Sequence, residues 1–361
     1  MEKTSYWLEE DLSTYTQAFH RDSNERTGSF DAIVIGGGYT GLNCALWLQR
    51  AGLQVLLLEK YRLGWGASSR NAGMLLPGVK APIEQIARKY NLGFAKNLWH
   101  WTLDSIDYVK KLSQKESLDC HWHNSGSLEL AHKKSDLKKL ENQKQFLKNK
   151  FHYNQTKILG SNHLPEEIGS QKYWGGLLDP SAASLHPAKY LKGLQELVKK
   201  SGVMILENTE VQQIKKAGHA LWQVATNHKI RTFQSEKVLL ATNGYTNWSF
   251  PTLRYRVLPV GSYMIATEPL SPSEREEISP HGRMFFDTKK LLNYFRLSPQ
   301  GSLLFGGRTS LVPNRDLQIS AQELQTRMLD IFPSLKEKKI THSWSGLLGI
   351  TADLLPHFDH Q

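Results

Sequence analysis

The chain has 361 residues, of which 40% are hydrophobic and 22% charged, which is typical of a globular protein with two lobes. The net charge of +11 leaves an anionic partner or membrane surface open, but the lysines are dispersed, so we expect no nucleic-acid binding. Only two cysteines, Cys44 and Cys120, are present, which favours a reducing, cytoplasmic compartment over a disulfide framework. No apolar run is long enough to span a bilayer, and the acidic N-terminus is unlike a signal peptide.

The N-terminal residues 1–29 form a polar arm that contains one aromatic patch, Ser5-Tyr6-Trp7-Leu8. We expect this patch to pack on the body of the protein, because an exposed tryptophan is costly.

Residues 30–59 contain the parts of a dinucleotide-binding unit in order. These parts are a strand, a G-x-G-x-x-G turn, a helix, a second strand and an acid: residues 32–35, Gly36, Gly38, Gly41, residues 42–50, residues 55–58 and Glu59. The first glycine permits the turn, the second lets a pyrophosphate approach the backbone, and the third lets helix and strand pack closely. The helix N-terminus attracts phosphate. Glu59 can accept a hydrogen bond from a ribose hydroxyl and disfavours NADP, while the motif leaves FAD and NAD open.

The segment that follows Glu59 is a second candidate for contact with a cofactor. Residues 60–74 are rich in glycine and small polar residues, and a long irregular segment of this kind is often functional. Arg70 and Asn71 can supply side-chain hydrogen bonds there. An ordinary surface loop with a salt-bridged arginine is the alternative interpretation.

Six motifs then occur in order along nearly the whole chain. They are S-Y-W-L at 5–8, G-G-G-Y-T-G at 36–41, L-E-K at 58–60, G-A-S-S-R-N-A-G-M at 66–74, G-G-L-L-D-P-S-A-A-S-L-H-P-A-K-Y-L at 175–191 and L-L-A-T-N-G-Y-T at 239–246. Together they resemble the FAD-dependent D-amino-acid oxidase superfamily, which includes glycine oxidase and sarcosine oxidase. The resemblance is closest to the bacterial γ-glutamylputrescine oxidoreductase branch.

The resemblance implies an α/β fold, in which a Rossmann-like FAD-binding domain joins an antiparallel-sheet (α+β) substrate domain. It divides the chain into an N-terminal arm at 1–29, FAD-binding parts at 30–80 and 181–250, substrate parts at 81–180 and 251–345, and a return segment at 346–361. It implies FAD as cofactor, with binding residues Gly36, Gly38, Tyr39, Thr40, Gly41, Glu59, Lys60, Ser68, Ser69, Arg70, Asn71, Ala72, Gly73, Met74, Val211, Ala241, Thr242 and Gly244. For Val211, a plain strand-core residue is the equal alternative.

Patterns in the rest of the chain predict the remaining elements. Helices are predicted at 80–116, 187–200 and 320–332; strands are predicted at 203–207, 210–214 and 237–242, with a strand pair at 119–131, hairpins of 224–226 with 230–233 and of 293–296 with 303–307, and β-rich segments at 254–267 and 283–297. His121 and His123 share a strand face, a spacing that can bind metal. No further ligands lie nearby in the sequence, so we expect no metal.

The expected chemistry is oxidation of a small-molecule amine, whose C–H bond must lie near the flavin and whose nitrogen must be deprotonated. An aromatic pocket with few charges suits this reaction, and the candidates are Tyr263, Tyr294, Phe295, Arg296 and Trp344, with sheet core as the alternative for each aromatic. Glycine oxidase-like members carry W-x-G-L-R-P, whose arginine pairs with the substrate carboxylate; Leu348 replaces that arginine here.

The leucine therefore favours an amine such as γ-glutamylputrescine, oxidised at a C–N bond to an imine that hydrolyses to an aldehyde, with hydrogen peroxide as by-product. The alternatives are an amino-acid oxidase or dehydrogenase of the glycine, sarcosine or D-amino-acid type, and a non-catalytic or decayed flavin-binding remnant. The resembled family continues past D-x-L-P into a final helix that faces the flavin. The sequence ends at Gln361, soon after residues 353–356, which predicts weak flavin retention and low turnover.

Overall fold

A computed structural model describes residues 5–9, 27–218, 221–227, 232–308 and 315–358. Its α-helices are α1 Tyr6–Glu9, α2 Tyr39–Arg50, α3 Ile83–Lys89, α4 Leu92–Lys115, α5 Lys134–Phe151, α6 Pro187–Lys200, α7 Pro251–Arg256, α8 Pro272–Ile278 and α9 Leu317–Ile331. Its strands are β1 Thr27–Ile35, β2 Val55–Leu58, β3 Met74–Leu75, β4 Ser127–Leu130, β5 Lys157–Gly160, β6 Gly175–Asp179, β7 Ala183–Ser184, β8 Met204–Leu206, β9 Val211–Ala217, β10 Leu221–Thr226, β11 Thr232–Leu240, β12 Leu258–Pro269, β13 Met284–Asp287, β14 Asn293–Leu297, β15 Ser302–Gly307 and β16 Ile340–Ile350.

A six-stranded sheet carries the Gly-rich turn. Its strand order is β8-β2-β1-β11-β10-β9, and β1 lies between β2 and β11 as a parallel partner of both. Ile33 and Val34 are both fully buried, as expected of a parallel strand that is covered on its two faces. The predicted order of strand, turn, helix and strand is confirmed. The predicted hairpin is confirmed as the antiparallel pair β10 and β11, although residues 230 and 231 lie outside the described residues.

An eight-stranded sheet, with strand order β16-β12-β15-β14-β13-β4-β6-β5, forms the second half of the molecule. All its neighbours are antiparallel except β13 and β4, so the sheet is mixed rather than wholly antiparallel. One face packs on a core in which Phe295 stacks between Phe285 and Phe305, at ring-centroid distances of 5.2 and 5.5 Å. The predicted α/β fold class and the predicted hairpin of β14 and β15 are confirmed. The residue boundaries of the domains stay a prediction.

Two predictions about local structure are wrong. Of the strand pair predicted at 119–131, only β4 forms; His123 makes an isolated bridge with Ser184, and His121 has a φ of 48°, which is incompatible with a strand. The segment predicted to be β-rich from Arg254 instead begins as α7, because Pro251 at the first helical position favours helical φ.

The described part of the chain contains neither a metal-ligand cluster nor a membrane-spanning helix. No group of three or more His, Cys, Asp or Glu side chains there could hold a metal ion. None of the described helices has both the length and the apolar character needed to cross a membrane.

Candidate functional site

A cavity of about 750 Å³ lies between the two sheets. Ile35 and Leu58, at the carboxyl ends of β1 and β2, line one part of it, and Ser262, Tyr294 and Leu348 of the larger sheet line another. In an open α/β sheet, ligands bind at this end of the parallel strands. We call the side of the larger sheet that carries Ser262, Tyr294 and Leu348 its cavity face.

The Gly-rich turn forms the floor of the cavity, and side chains at Gly36 or Gly41 would clash with neighbouring backbone. Gly36 has a φ of 110°, and an added Cβ would lie 2.6 Å from the backbone oxygen of Ala241. A Cβ on Gly41 would lie 1.8 Å from the Gly36 oxygen, so this glycine supports the turn without lining the cavity. Gly38 is the N-cap of α2, provides no side-chain cap and lines the cavity, so a helix N-terminus faces the ligand space.

Glu59 lies at the end of β2, as the sequence predicts. Its carboxylate accepts hydrogen bonds from the amides of Gly37 at 2.7 Å and Tyr61 at 2.9 Å. Burial raises the pKa of Glu59, while these amide bonds act in the opposite direction. The carboxylate is therefore held in one position at the cavity wall, where its remaining lone pairs can accept from a ligand hydroxyl.

A second acid, Glu210, organises the polar wall next to Glu59. Its carboxylate binds the Lys60 ammonium at 2.9 Å and the Asn247 amide nitrogen at 3.0 Å. Val211 follows it, lines the cavity and is also part of the buried cluster beneath the smaller sheet. Val211 therefore fits both interpretations, a cofactor-binding residue and a strand-core residue.

The backbone of residues 67–74 is fixed from behind by side chains that come from distant segments. Three consecutive carbonyl oxygens accept hydrogen bonds: that of Ser69 from Ser5 Oγ at 2.8 Å, that of Arg70 from Trp344 Nε1 at 2.9 Å, and that of Asn71 from Trp7 Nε1 at 2.7 Å. The Asn71 side chain in turn accepts from the amide of Gly73 at 2.8 Å. We call residues 67–74 the pinned loop.

The packing predicted for the N-terminal aromatic patch is confirmed, because α1 lies under the pinned loop. Trp7 is fully buried, and its ring packs against His186 at 4.7 Å and beneath the Arg296 guanidinium at 5.3 Å. Tyr6 bonds through its hydroxyl to Ser298 Oγ at 2.9 Å. Trp7 and Tyr6 thus connect the pinned loop to β14 and the turn that follows it.

The wall around Leu348 is fixed by the turn at residues 243–245. The Asn243 side-chain oxygen accepts from the amide of Gly349 at 2.8 Å, and the Tyr245 hydroxyl accepts from the amide of Leu347 at 3.0 Å. A Cβ on Gly244 would lie 2.9 Å from the carbonyl carbon of Leu348. Gly244 therefore permits the close approach of β16 and does not itself line the cavity.

Strand register separates the predicted substrate-side residues. Tyr294 lines the cavity, and its hydroxyl lies 2.9 Å from Ser262 Oγ. Tyr263 pairs with Ser345 on the opposite face, in the buried core, and its hydroxyl accepts from the amide of Arg315 at 3.0 Å. Side chains alternate along a strand, so Tyr263 points away from the face that Ser262 occupies.

The other three candidates also lie outside the cavity lining. Phe295 belongs to the aromatic core stack. Arg296 is on the cavity face but donates to the Leu185 carbonyl at 2.8 Å, and burial lowers its pKa to about 9. Trp344 is buried and supports Arg70, as described above.

Most of the predicted cofactor residues come together on the cavity wall. Those that line it are Gly36, Gly38, Tyr39, Thr40, Glu59, Lys60, Ser68, Arg70, Asn71, Ala72, Met74, Val211, Ala241 and Thr242. The remaining four, Gly41, Ser69, Gly73 and Gly244, support the wall from behind. Ser69 Oγ, for example, donates to the Gly64 carbonyl at 2.7 Å.

Several lining residues were missed, among them Tyr61, Trp65, Thr209, Glu210, Tyr245, Asn247, Phe250 and Ser262. Trp65 and Tyr245 lie in segments that carry recognised motifs, and their ring centroids are 5.6 Å apart. Only one of two neighbouring residues in a strand can face the cavity. Ser262, one residue before Tyr263, was therefore the alternative to Tyr263 that the sequence offered.

The residues present fit a dinucleotide such as FAD. Gly38 leaves backbone exposed at a helix N-terminus, which suits a pyrophosphate. Glu59 offers acceptors for ribose, and the long wall from the pinned loop to Leu348 offers an apolar surface for a ring system. The flavin ring system is larger than nicotinamide, so this second wall favours FAD over NAD.

Comparison with known proteins assigns this arrangement to a family. The sequence model of the DAO family, "FAD dependent oxidoreductase", matches residues 31–361. The "Probable oxidoreductase OrdL" of Haemophilus influenzae is 33% identical over 91% of this chain and 75% of its own length. The "Gamma-glutamylputrescine oxidoreductase" of Escherichia coli is 29% identical over 96% of this chain and 82% of its own. The crystal structure of glycine oxidase from Geobacillus kaustophilus shares the fold, with a TM-score of 0.74, 20% identity and coverage of 92% and 86%.

Proposed function

We propose that this chain, which belongs to the DAO family of FAD-dependent oxidoreductases and uses FAD as its cofactor, oxidises the C–N bond of an amine that has no carboxylate on the carbon beside its reacting nitrogen. The imine product would hydrolyse to an aldehyde. The observation that carries the proposal is the side chain at position 348. Leu348 presents an apolar surface to the cavity at the position where the resemblance to glycine oxidase-like members predicts an arginine.

The basic side chains that line the described part of the cavity do not replace that arginine. Lys60 is paired with Glu210 at the Glu59 end. Arg70 donates from Nε to the Trp65 carbonyl at 3.0 Å and from Nη1 to the Ser345 carbonyl at 3.3 Å. An α-carboxylate beside Leu348 would therefore lack a bidentate partner, and a buried carboxylate without one is costly.

Tyr294 and Ser262 are the polar groups suited to hold the reacting amine. Burial raises the pKa of Tyr294, so its phenol stays protonated and acts as a hydrogen-bonding group rather than as a base. A neutral amine can donate to Tyr294 or Ser262, whereas an ammonium ion would be destabilised beside apolar Leu348 and Met74. The flavin, when bound, supplies the acceptor for the two electrons that leave the C–H bond beside the nitrogen.

The named relatives support a γ-glutamylputrescine-like compound or a related polyamine derivative as the substrate class. The Escherichia coli protein with that name aligns over 96% of this chain. A long amine with a free terminal –CH₂–NH₂ group suits a wall that combines Leu348 with a hydroxyl pair.

The test is flavin reduction under anaerobic conditions with a panel of γ-glutamylputrescine, putrescine, glycine, sarcosine and D-alanine. We expect the amines, and not the amino acids, to bleach the wild-type flavin. Leu348→Arg should gain measurable reduction by an amino acid and lose about tenfold in amine kcat/KM, because it adds a carboxylate partner and repels ammonium. Leu348→Met is the matched control and should keep the amine preference. Bleaching of the wild type by glycine or sarcosine, with none by the amines, would contradict the proposal.

A further inference from the structure

A group of unlike charges lies on the cavity face of the larger sheet, beyond Tyr294. Glu129 on β4 pairs with Phe286 on β13, and Phe286 pairs with Tyr294 on β14. Directly paired residues of neighbouring strands point to the same side of a sheet. Glu129 therefore shares the cavity face with Tyr294, two strands away, which is roughly 10 Å at the usual strand spacing.

Two basic residues flank this row. Arg308 follows β15 two positions after Gly306, the strand partner of Tyr294, and the two-residue period returns it to the cavity face. Lys80 lies four residues after Leu76, which lines the cavity wall. Burial and the positive charge of Arg308 lower the pKa of Lys80, and Glu129 acts in the opposite direction, so the three charges are within range of one another.

These three charges influence one another at a distance, but none of them is in direct contact with a partner. Across the ranges that the structure describes, the side chains of Glu129, Lys80 and Arg308 form no salt bridge and no hydrogen bond; the Arg308 backbone carbonyl accepts from Arg327. Glu129 is half-buried, and a carboxylate so placed without a hydrogen-bonded partner costs folding free energy. Such an arrangement is better explained by a ligand that carries both charges than by stability.

We propose that Arg308, Lys80 and Glu129 form a subsite for the far end of the substrate, and that this end is an amino-acid group. Arg308 and Lys80 would bind its carboxylate, and Glu129 would bind its ammonium. The inference rests on the proposed oxidation of an amine, which it deepens by naming the remote half of the substrate.

The length of a γ-glutamylated diamine matches the distance between Tyr294 and Glu129. About eight bonds join the carbon beside the reacting nitrogen to the α-carbon of the γ-glutamyl group, which is roughly 9–10 Å when extended, since three backbone bonds span about 3.5 Å. That length agrees with the spacing of Tyr294 and Glu129 across the sheet. A diamine long enough to span this distance would place a second ammonium beside Arg308 and Lys80, where like charges repel it.

The first experiment measures binding alone. γ-Glutamyl-n-butylamide keeps the remote amino-acid group but has no amine to oxidise, and calorimetry with the FAD-loaded protein gives its Kd. We expect Arg308→Gln and Glu129→Gln to weaken this binding about ten- to a hundredfold, as for lost hydrogen bonds to charged groups. Lys148→Gln, at an exposed lysine of α5, is the control for loss of one positive charge and should bind as the wild type does. No detectable binding to the wild type, or unchanged binding to Arg308→Gln, would overturn the subsite.

The second experiment separates the subsite from the proposed reaction. Steady-state rates are compared for γ-glutamylputrescine, N-acetylputrescine and spermidine, and we expect the first to be preferred at least tenfold in kcat/KM. Arg308→Gln should remove this preference through KM, with kcat nearly unchanged. Equal rates for all three amines would overturn the subsite and leave amine oxidation standing. Binding of the butylamide without oxidation of any amine would support the subsite and refute the reaction.

Discussion

Replacing Trp7 by phenylalanine tests whether the N-terminal helix holds the pinned loop in its cofactor-binding conformation. The substitution keeps an aromatic face against His186 and Arg296 but removes the indole N–H, which donates to the Asn71 carbonyl at 2.7 Å. Because Trp7 is fully buried, water cannot easily replace that donor. We expect weaker binding of FAD and a lower free energy of unfolding.

The size of the effect follows from two contributions. A buried carbonyl that loses its donor costs about 1–3 kcal/mol. The smaller ring leaves a void, which adds about 1 kcal/mol in a close-packed core. The FAD-loaded protein should thus lose roughly 2–4 kcal/mol, and if half of this acts on the pinned loop, the Kd for FAD rises about tenfold, since 1.4 kcal/mol is a factor of ten.

The assay combines urea unfolding of the FAD-loaded protein with a flavin titration followed by fluorescence. Trp174→Phe is the matched control, because Trp174 is 52% exposed and should change both quantities little. Ser5→Ala, which removes the donor to the Ser69 carbonyl, should act in the same direction with a smaller effect. If Trp7→Phe binds FAD as tightly as the wild type, the pinned loop does not depend on α1, and the reasoning is refuted.

Two further substitutions test the cavity floor and the charge at position 129. Gly38→Val should abolish retention of FAD through gel filtration, because even a Cβ would lie 2.9 Å from Ser68 Oγ and the larger side chain would fill the pyrophosphate space; retained flavin at wild-type stoichiometry would contradict this. Glu129→Gln should raise the free energy of unfolding by an amount that grows as pH rises. The reason is that burial raises the pKa of Glu129 to about 7; the charge of Lys80 lowers this pKa, and the charge of Glu84 raises it. Because the pKa is raised on folding, Glu129 costs the wild type no stability below about pH 4.5, and the wild type loses stability as pH rises from there to about 7. The upper limit of this gain in unfolding free energy is about 3 kcal/mol, and the partial exposure of Glu129 reduces the expected gain at pH 8 to about 1–2 kcal/mol. An equal gain at pH 5 and pH 8 in urea unfolding would refute this prediction.

The nucleotide half of the site could be predicted because its determinants are local. Gly36, Gly38 and Gly41 lie within six residues of one another at one strand-to-helix turn, and Glu59 is placed by the strand that it ends. Any sequence with this order of elements brings those residues to the same edge of the sheet. Prediction from the sequence therefore needed no knowledge of tertiary contacts.

The substrate half could be predicted only in part, because it depends on strand register. The sequence singles out both Tyr263 and Tyr294, yet the pairing of Tyr294 with Gly306 and of Gly306 with Met264 puts Tyr263 on the other face. A shift of one residue would exchange them, and composition does not fix that shift. Ser262 was missed for the same reason.

The support of the pinned loop by Ser5, Trp7 and Trp344 could not be predicted either, because it joins residues that are 64 and 274 positions apart. Nothing in the sequence near Trp344 indicates that its indole would serve a backbone carbonyl rather than a substrate. Both tryptophans fill buried space and supply one directed N–H, a combination that occurs when a wide side chain packs against irregular backbone.

The two ends of the cavity impose opposite requirements on charge. At the Glu59 end, Lys60 is neutralised by Glu210, and the Glu59 carboxylate is stabilised by two amides, so this end accepts a polar ligand without an excess of charge. At the Leu348 end, the wall combines Leu348 with the hydroxyl pair of Tyr294 and Ser262. The Arg70 guanidinium also lies there, but it donates to the Trp65 and Ser345 carbonyls. An amine that enters this end loses hydration, which lowers its pKa and raises its neutral fraction, and only a neutral amine has the lone pair that C–H oxidation requires. The same wall would leave an α-carboxylate without a partner. Under the proposed function, Leu348 in place of the expected arginine thus favours the reactive form of an amine and disfavours an amino acid through the same loss of charge.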